Sequence, residues 1–300
     1  MNKSMNEEMK DSTGDNKKSN TESNSESNTK NNTENNAKIN AKKRENSQGT
    51  VRLSLRLKAV ADYVRPGSRI ADIGTDHGYI PLYLAQTGRA ASALAMDVRT
   101  GPLERAREHI KRYEEWAGGA GAEETKASAA AHCAIETRLS DGLKELRPGE
   151  ADTVIIAGMG GELEIRILEE GRHVWDSVTH WILSPQSDLD KVRLYLEEQG
   201  FFIEDETMVK EEGKFYTVMS VIRGQMKYGR PVWYCYGKPL LEKRDRVLKE
   251  FLEKEKDRVA GILDTLMGQP QDAMTPGQER AKKALLEELY LIKEAQDEMQ

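Results

Sequence analysis

The sequence has little cysteine, no long apolar run and no excess of basic residues, and each absence excludes a class of protein. Its 300 residues include two cysteines, whose spacing suits neither a disulfide framework nor a metal site. No apolar run approaches the roughly 18 residues of a membrane span, and the amino-terminal residues lack the apolar core of a secretory signal. We therefore expect a cytoplasmic protein without a membrane segment or a metal.

The charge balance narrows the choice of partners. A formal net charge of −6 argues against indiscriminate binding to nucleic acid, because that activity needs a broad basic surface. A local basic groove stays compatible with this charge. The composition does not fix the oligomeric state, and a monomer is the expectation.

Composition divides the chain into three segments. Residues 1–49 are mostly Asn, Ser, Thr, Glu and Lys, with too little apolar surface to offset the entropy of ordering, so we predict a disordered tail. Residues 50–232 have the patterns of a folded α/β domain, interrupted by a Gly- and Ala-rich stretch at 118–132 that predicts a loop insertion. Residues 233–300 are predicted to form a separate helical domain.

Strand-like and helix-like patterns alternate through the second segment. Near-continuous apolar strands are predicted at residues 69–74, 91–98, 132–141, 152–160 and 180–186. Their alternation with helical stretches is typical of a buried parallel sheet. Residues 201–223 then contain two further strand-like runs, joined by a turn at Glu212 and Gly213. Five βα units followed by a hairpin fit a seven-stranded, Rossmann-like methyltransferase sheet, whose last strand pair brings in an antiparallel strand.

The third segment predicts two amphipathic helices, from Pro239 to Met267 and from Glu279 to Met299. A narrow apolar stripe on charged helices with a Pro- and Gly-containing link favours an antiparallel hairpin, a short coiled coil. Two roles stay open for it. It is either a packing or dimerisation module, or an arm that grips the substrate. The second role rests on the basic residues at its start, which are Lys238, Lys243, Arg244, Arg246 and Lys249.

The stretch RIADIGTDHGYIPLYLA, residues 69–85, resembles the start of a dinucleotide site but departs from it at one position. The middle glycine of that fingerprint lets the backbone approach a pyrophosphate, and here Asp76 replaces it. A carboxylate at this place disfavours NAD and FAD. It suits S-adenosylmethionine, which has no phosphate and bears an ammonium and a sulfonium. Asp72 and Asp76 are predicted near these cations, with Gly74 in the tight turn and Gly78 in close helix packing.

Three later strand ends extend this prediction. Asp97 follows the second strand, where an acid usually binds the ribose hydroxyls of the ligand. Asp141 and Gly142 follow the third strand and are expected near the adenine amino group. The fourth strand ends in AGMGG, so that Gly158 and Met159 are expected beside the sulfonium. All four tips fall at the carboxyl edge of a parallel sheet, where such sheets bind ligands.

The AGMGG sequence after the fourth strand also indicates which kind of chemical group accepts the methyl group. Enzymes that methylate an exocyclic amino group commonly place an Asn or Asp, prolines and an aromatic ring there, and this chain has none of them. A ring nitrogen with a free lone pair needs less help, because in-line displacement then depends mostly on proximity and orientation. His77 is a candidate for hydrogen bonding the ligand or removing a proton, or else only orders its turn.

These motifs together resemble the bacterial tRNA (adenine-22-N1)-methyltransferase family. The likeness is specific in ADIGTDHGY, IAGMGG and GKFYTV and runs from about Ser54 to the carboxyl terminus. It implies a cytosolic enzyme that transfers a methyl group from S-adenosylmethionine to N1 of an adenine in the D-arm region of tRNA. It also implies a class I methyltransferase domain and a coiled-coil domain that helps to hold tRNA.

The resemblance also assigns residues. It implies that the cofactor is bound by Asp72, Gly74, Asp76, His77, Asp97, Asp141, Gly142 and Gly158. It puts Arg56 on the substrate side of the pocket. Gln186 stands where other members have Asn and keeps an amide, and Tyr216 is the aromatic candidate. We therefore predict a catalytic group of His77, Met159, Gln186 and Tyr216, with Lys243, Arg244 and Arg246 as further tRNA contacts.

Two alternatives stay open at this point. The first keeps the fold and the cofactor but transfers the methyl group to a small molecule or a protein. The second is a non-catalytic RNA-binding protein with a relict pocket, against which the acids at Asp72, Asp97 and Asp141 argue.

Overall fold

The computed structural model describes residues 51–117, 133–268 and 274–300. These residues belong to one compact unit that spans residues 47–300. The predicted disordered tail at 1–49 and the predicted loop insertion at 118–132 lie outside the described residues.

A mixed seven-stranded sheet forms the centre of this unit. Its strands are β1 (Ser68–Ile73), β2 (Ala90–Asp97), β3 (Ala134–Leu139), β4 (Thr153–Ala157), β5 (His180–Ser184), β6 (Phe201–Glu211) and β7 (Lys214–Arg223). They are arranged in the order β3-β2-β1-β4-β5-β7-β6. Strands β1 to β5 pair in parallel, whereas β7 is antiparallel to both β5 and β6. The predicted Rossmann-like methyltransferase sheet with its closing hairpin is confirmed.

The apolar strands form because the sheet is covered on both faces. In β4, Val154 and Ile156 face one buried cluster, and Ile155 faces a second cluster on the other side. Since successive side chains of a strand point to opposite faces, a strand that is buried on both faces is apolar at every position. The continuous apolar pattern that predicted the parallel strands has this physical origin.

Helices connect the strands and follow the sheet. They are α1 (Leu55–Asp62), α2 (Tyr79–Gln86), α3 (Thr100–Ala117), α4 (Gly161–Glu170), α5 (Leu189–Glu198), α6 (Pro231–Tyr236), α7 (Lys238–Glu242), α8 (Arg246–Met267) and α9 (Pro276–Glu298). The helical segment α6 was not predicted. Its sequence, PVWYCY, is short and aromatic and has no helical periodicity.

The single helix predicted from Pro239 to Met267 is wrong, because the chain breaks between α7 and α8. Arg244 has a positive φ of 53°, which ends α7. Asp245 then caps α8, since its carboxylate accepts hydrogen bonds from the backbone N–H groups of Val247 and Leu248. An N-cap of this kind satisfies backbone donors that would otherwise be free, so the break is stable.

The two long helices α8 and α9 form the predicted helical hairpin, which packs on the outer edge of the sheet. Leu248, Leu252 and Val259 of α8 share a buried cluster with Ile292 of α9 and Met208 of β6. A fully buried ion pair lies beneath α6. The Arg193 guanidinium lies 2.8 Å from Glu206 Oε1 and also donates to the carbonyl oxygens of Tyr234 and Cys235. The coiled-coil geometry of the hairpin stays a prediction.

Candidate active site

A cleft of about 420 Å³ opens at the carboxyl edge of the parallel strands. It is lined by residues that follow β1, β2, β3, β4 and β5, together with Arg56 of α1. Most of the predicted site residues line it, namely Arg56, Gly74, Asp76, Asp97, Asp141, Gly142, Gly158, Met159 and Gln186. The structure thus brings together residues that the sequence placed at separate strand ends.

The loop after β1 bends sharply at Gly74. Gly74 has a φ of +74°, and a Cβ at this position would lie 2.1 Å from the Met159 Cε atom. The backbone N–H groups of Gly74 and Thr75 both donate to the carbonyl oxygen of Met96 in β2. A glycine is therefore required for the backbone conformation, and the turn brings the tips of β1 and β4 together at the cleft.

Asp72 lies at the end of β1 and is buried beneath this loop, with 5% of its surface exposed. Burial raises the pKa of its carboxyl group to about 6, and the negative charges of Asp76 and Asp97 act in the same direction. An acid in such surroundings is costly to ionise without a positive partner. The position therefore favours a cationic ligand.

Asp97 and Asp141 differ in their surroundings. Asp97 is 6% exposed, and its Oδ1 accepts a hydrogen bond of 2.7 Å from the backbone N–H of Arg99. Asp141 is exposed, and Lys144 Nζ lies 2.6 Å from its Oδ2, which lowers the pKa of the Asp141 carboxyl group. Arg99 Nε lies 3.6 Å from Asp97 Oδ1, so both acids have a basic neighbour, and they differ mainly in burial.

The His77 imidazole packs behind the glycine loop. Its ring centroid lies 5.4 Å from that of Tyr79 and 5.7 Å from that of His109 in α3. Its Nε2 lies 3.3 Å from Asp76 Oδ1, and its backbone carbonyl contacts His109 Nδ1 at 2.9 Å. Neither His77 nor Gly78 is among the described residues that line the cleft, and the predicted roles of both stay predictions.

The far side of the cleft contains hydrogen-bond donors. The Arg56 guanidinium lies over the Tyr216 ring of β7, 5.2 Å from its centroid. Gly158 lies below this side chain, because a Cβ there would be 2.9 Å from Arg56 Nη1 and 3.6 Å from Gln186 Nε2. The Gln186 backbone N–H donates to the Met159 carbonyl oxygen at 2.8 Å. Arg56 and Gln186 thus form one wall, and Tyr216, which is not among the described residues that line the cleft, contacts Arg56.

Several residues that line the cleft were not predicted from the sequence, among them Val98, Arg99, Arg166 and Ile167. Val98 and Arg99 directly follow Asp97, and Val98 is 60% exposed. Because they follow a strand that ends in an acid, the sequence could have indicated that they lie at the cleft. Arg166 and Ile167 lie in the middle of α4, and only the packing of that helix brings them to the cleft.

The three predicted tRNA contacts at the start of the helical hairpin lie outside the cleft lining. Lys243 Nζ lies 2.9 Å from Asp205 Oδ1 and also donates to the Glu206 carbonyl oxygen, so it ties the hairpin to β6. Arg244 and Arg246 are exposed. Their role in tRNA binding stays a prediction.

Two further properties concern the described part of the chain alone. Residues 51–117, 133–268 and 274–300 contain no group of three His, Cys, Asp or Glu side chains placed to hold a metal ion. Within the same residues, no helix combines the length and apolar character needed to cross a membrane.

Comparison with known proteins places the chain among methyltransferases. A tRNA (adenine(22)-N(1))-methyltransferase of Bacillus subtilis is 34% identical over 169 residues, which cover 56% of this chain and 64% of that protein. The structure of the B. subtilis M1A22 tRNA methyltransferase TrmK matches with a TM-score of 0.66 and 28% identity, covering 81% of this chain and 98% of the other.

A second solved structure is Streptococcus pneumoniae Sp1610 in complex with S-adenosyl-L-methionine. It matches with a TM-score of 0.66 and 29% identity over 81% of this chain and 99% of that one. The family model of the methyltransferase domain matches residues 53–219, more than half of the chain, and these residues contain the whole cleft. The chain therefore belongs to the methyltransferase domain family.

Proposed function

We propose that this protein transfers a methyl group from S-adenosylmethionine to N1 of adenine 22 in tRNA. One observation carries the proposal: the tips of β1, β2 and β3 bring Asp76, Asp97 and Asp141 to one cleft, above the buried Asp72. The 34% identity to the B. subtilis tRNA (adenine(22)-N(1))-methyltransferase supports the choice of acceptor. The matched segment spans 64% of that relative.

The residues present fit S-adenosylmethionine. Asp72 and Asp76 would face its positive groups, and the buried Asp97 would accept hydrogen bonds from the ribose hydroxyls. Asp141 and Gly142 would lie at the adenine, with Gly158 and Met159 at the sulfur. The bound cofactor supplies an electrophilic methyl group. A pyrophosphate in the same place would meet the carboxylates of Asp76 and Asp97, which disfavours a dinucleotide.

The chain's own part in the reaction is to orient the acceptor. N1 of adenine has a lone pair, so alignment supplies most of the rate and a strong base is unnecessary. Gln186 would position the adenine from its side of the cleft, and His77 is the candidate to accept a proton from the adenine amino group after methylation. A base within folded tRNA has to leave its stack before it enters such a pocket. The enzyme would act in the cytoplasm as a monomer.

The proposal is tested by incubating the protein with transcribed tRNA and labelled S-adenosylmethionine. We expect 1-methyladenosine in the digested nucleosides, a primer-extension stop at position 22, and no product from tRNA in which adenine 22 is replaced by guanine. An Asp72→Ala variant serves as the control for cofactor-dependent transfer. If a protein or a small molecule were methylated and tRNA were not, the result would favour the other acceptor class. If calorimetry showed no heat of binding for S-adenosylmethionine, the pocket would be a relict.

A further inference from the structure

The guanidinium of Arg56 is an unsatisfied group in the wall of the cleft. Arg56 is half-buried and lines the cleft. Among the described residues it has no carboxylate partner and no hydrogen-bond acceptor, and its guanidinium contacts the face of Tyr216, 5.2 Å from the ring centroid. Arginines in folded proteins usually use their five donors on carboxylates, carbonyls or phosphates. Here those donors stay available to a ligand.

The backbone and side chain of Arg56 are both held in place. Ser54 caps α1, and the backbone N–H of Leu55 donates to Glu211 Oε1 at 2.7 Å, which fixes the start of the helix to the end of β6. Tyr216 supports the guanidinium plane by a cation–π contact. On the opposite side, Gly158 leaves the space that the guanidinium needs, because a Cβ there would lie 2.9 Å from Arg56 Nη1. The group is pre-oriented before any ligand arrives.

The chemistry of Arg56 excludes a role as a base. A guanidinium is always protonated and has no acceptor. It would also oppose the positive charge that alkylation of a ring nitrogen creates. A guanidinium fork instead matches the geometry of an anion such as a phosphate.

The position of Arg56 leaves two candidate anions, the phosphate of the acceptor nucleotide and the carboxylate of the cofactor. The acids that suit the cofactor follow β1, β2 and β3, whereas Arg56 contacts Gly158 after β4 and Tyr216 of β7. Strands β4, β5, β7 and β6 form the other half of the sheet. The carboxylate of the cofactor is attached to the same carbon as its ammonium, and the tips of β1 and β4 meet at the cleft. This carboxylate is therefore the competing anion, and the cofactor Kd of an Arg56 variant distinguishes it from a phosphate.

We infer that Arg56 binds the phosphate of the nucleotide that is methylated, and that Tyr216 is a positioning residue that holds the guanidinium toward it. The inference rests on the proposed function, since it takes a nucleotide in tRNA as the substrate. It gives Tyr216 a role through Arg56 rather than through contact with the reacting atoms.

The first test separates substrate binding from cofactor binding. In steady-state kinetics with tRNA, Arg56→Ala is expected to raise KM about ten- to a hundredfold, the range for a lost hydrogen bond to a charged group. Its S-adenosylmethionine Kd, measured by calorimetry, should stay within about twofold of the wild-type value. Arg172→Ala removes an exposed guanidinium paired with Glu169 and is the matched control. A loss of cofactor affinity with an unchanged KM for tRNA would overturn the inference.

The second test isolates the positioning role of Tyr216. Tyr216→Leu removes the ring face and is expected to raise the KM for tRNA, while Tyr216→Phe keeps the ring and should recover most of that loss. The double variant Arg56→Ala/Tyr216→Leu should be no worse than Arg56→Ala alone, because residues that act through one group are not additive. If Tyr216→Phe were as damaging as Tyr216→Leu, the hydroxyl would be the acting group and the positioning role would be rejected.

The third test replaces the phosphate itself. A tRNA with an uncharged methylphosphonate at the target nucleotide should raise the KM of the wild type to that of Arg56→Ala, and should leave the KM of Arg56→Ala unchanged. Equal losses in both proteins would overturn the phosphate assignment. If the wild type formed no methyladenosine in ordinary tRNA, the proposed function would fail and the inference with it. If the wild type methylated tRNA and Arg56→Ala had an unchanged KM for tRNA, the inference alone would be rejected and the proposed function would stand.

Discussion

The two halves of the cleft differ in charge although they occupy one edge of one sheet. The half formed by β1, β2 and β3 presents Asp76, Asp97 and Asp141. The other half presents the donors of Arg56, from α1, and of Gln186, from the loop after β5. In the proposed reaction, the first half binds a cationic methyl donor and the second an anionic nucleotide. Charge alone would then bind each substrate in its own half of the cleft.

The comparison is tested most strongly at Asp97. Asp97→Asn should weaken S-adenosylmethionine binding by about ten- to a hundredfold, the expected cost of losing hydrogen bonds to a buried charged acceptor. Calorimetry measures the Kd. Asp141→Asn is the matched control, because Asp141 is exposed and already paired with Lys144, so we expect a change of less than about threefold. Equal effects at both positions would show that burial does not set the strength of the acidic half.

The raised pKa of Asp72 predicts that the affinity for the cofactor depends on pH. In the proposed complex the ionised form of Asp72 would face the positive groups of S-adenosylmethionine, so below pH 6 binding would release a proton from a carboxyl group whose pKa is about 6. Affinity for the cofactor should therefore be constant above pH 6 and fall by up to about tenfold per pH unit below it.

The variant Asp72→Asn is the control for this titration. It should bind more weakly at pH 7 and lose the dependence between pH 5 and pH 7. A pH profile that stayed the same in Asp72→Asn would assign the titration to another group.

A second buried acid lies outside the cleft, and its ionisation is expected to affect stability and not cofactor binding. Glu164 of α4 is fully buried, neither of its carboxylate oxygens has a hydrogen-bond partner among the described residues, and burial raises its pKa well above the usual value. Ionisation of Glu164 thus opposes folding, and stability should decline as the pH rises above about 4.5.

Glu164→Gln removes this cost while keeping the shape of the side chain. We expect it to raise the free energy of unfolding at pH 7 by about 1–3 kcal/mol, with little difference near pH 4 and an unchanged cofactor Kd. Urea denaturation at several pH values measures the gain. A destabilised Glu164→Gln would mean that the carboxylate has a stabilising partner.

The acidic half of the cleft could be predicted from the sequence more completely than the donor half. Asp72, Asp97 and Asp141 each follow or end an apolar strand, and the parallel arrangement of those strands brings their ends together. The donor half combines α1, the loop after β5 and β7, whose contact depends on tertiary packing. The pairing of Arg56 with Tyr216 therefore had no local sequence signal.

The helical hairpin shows the same limit. Its two helices followed from their apolar periodicity, but the break at Arg244 did not, because a basic residue with positive φ is unusual. The ion pair of Lys243 with Asp205 joins residues from separate segments, and no sequence spacing indicated it. The basic residues at the start of the hairpin looked alike in the sequence but differ in their contacts.

The smallest expected effect concerns these basic residues. Arg244→Glu/Arg246→Glu should weaken tRNA binding severalfold and reduce its salt dependence, because charge reversal removes phosphate attraction, while the cofactor Kd stays unchanged. Fluorescence anisotropy at several salt concentrations measures this. Lys243→Glu should in addition lower stability, since it opposes Asp205 across the hairpin contact. Unchanged tRNA binding in the double variant would remove the hairpin start from the tRNA surface.

The central claim is that acids at the strand tips select a cationic methyl donor over a phosphate-bearing dinucleotide. Calorimetric titration of the wild-type protein with S-adenosylmethionine, and then with NAD in competition, tests it most directly. We predict saturable binding of S-adenosylmethionine that NAD does not displace. Binding of NAD at this cleft, with no heat from S-adenosylmethionine, would contradict the account.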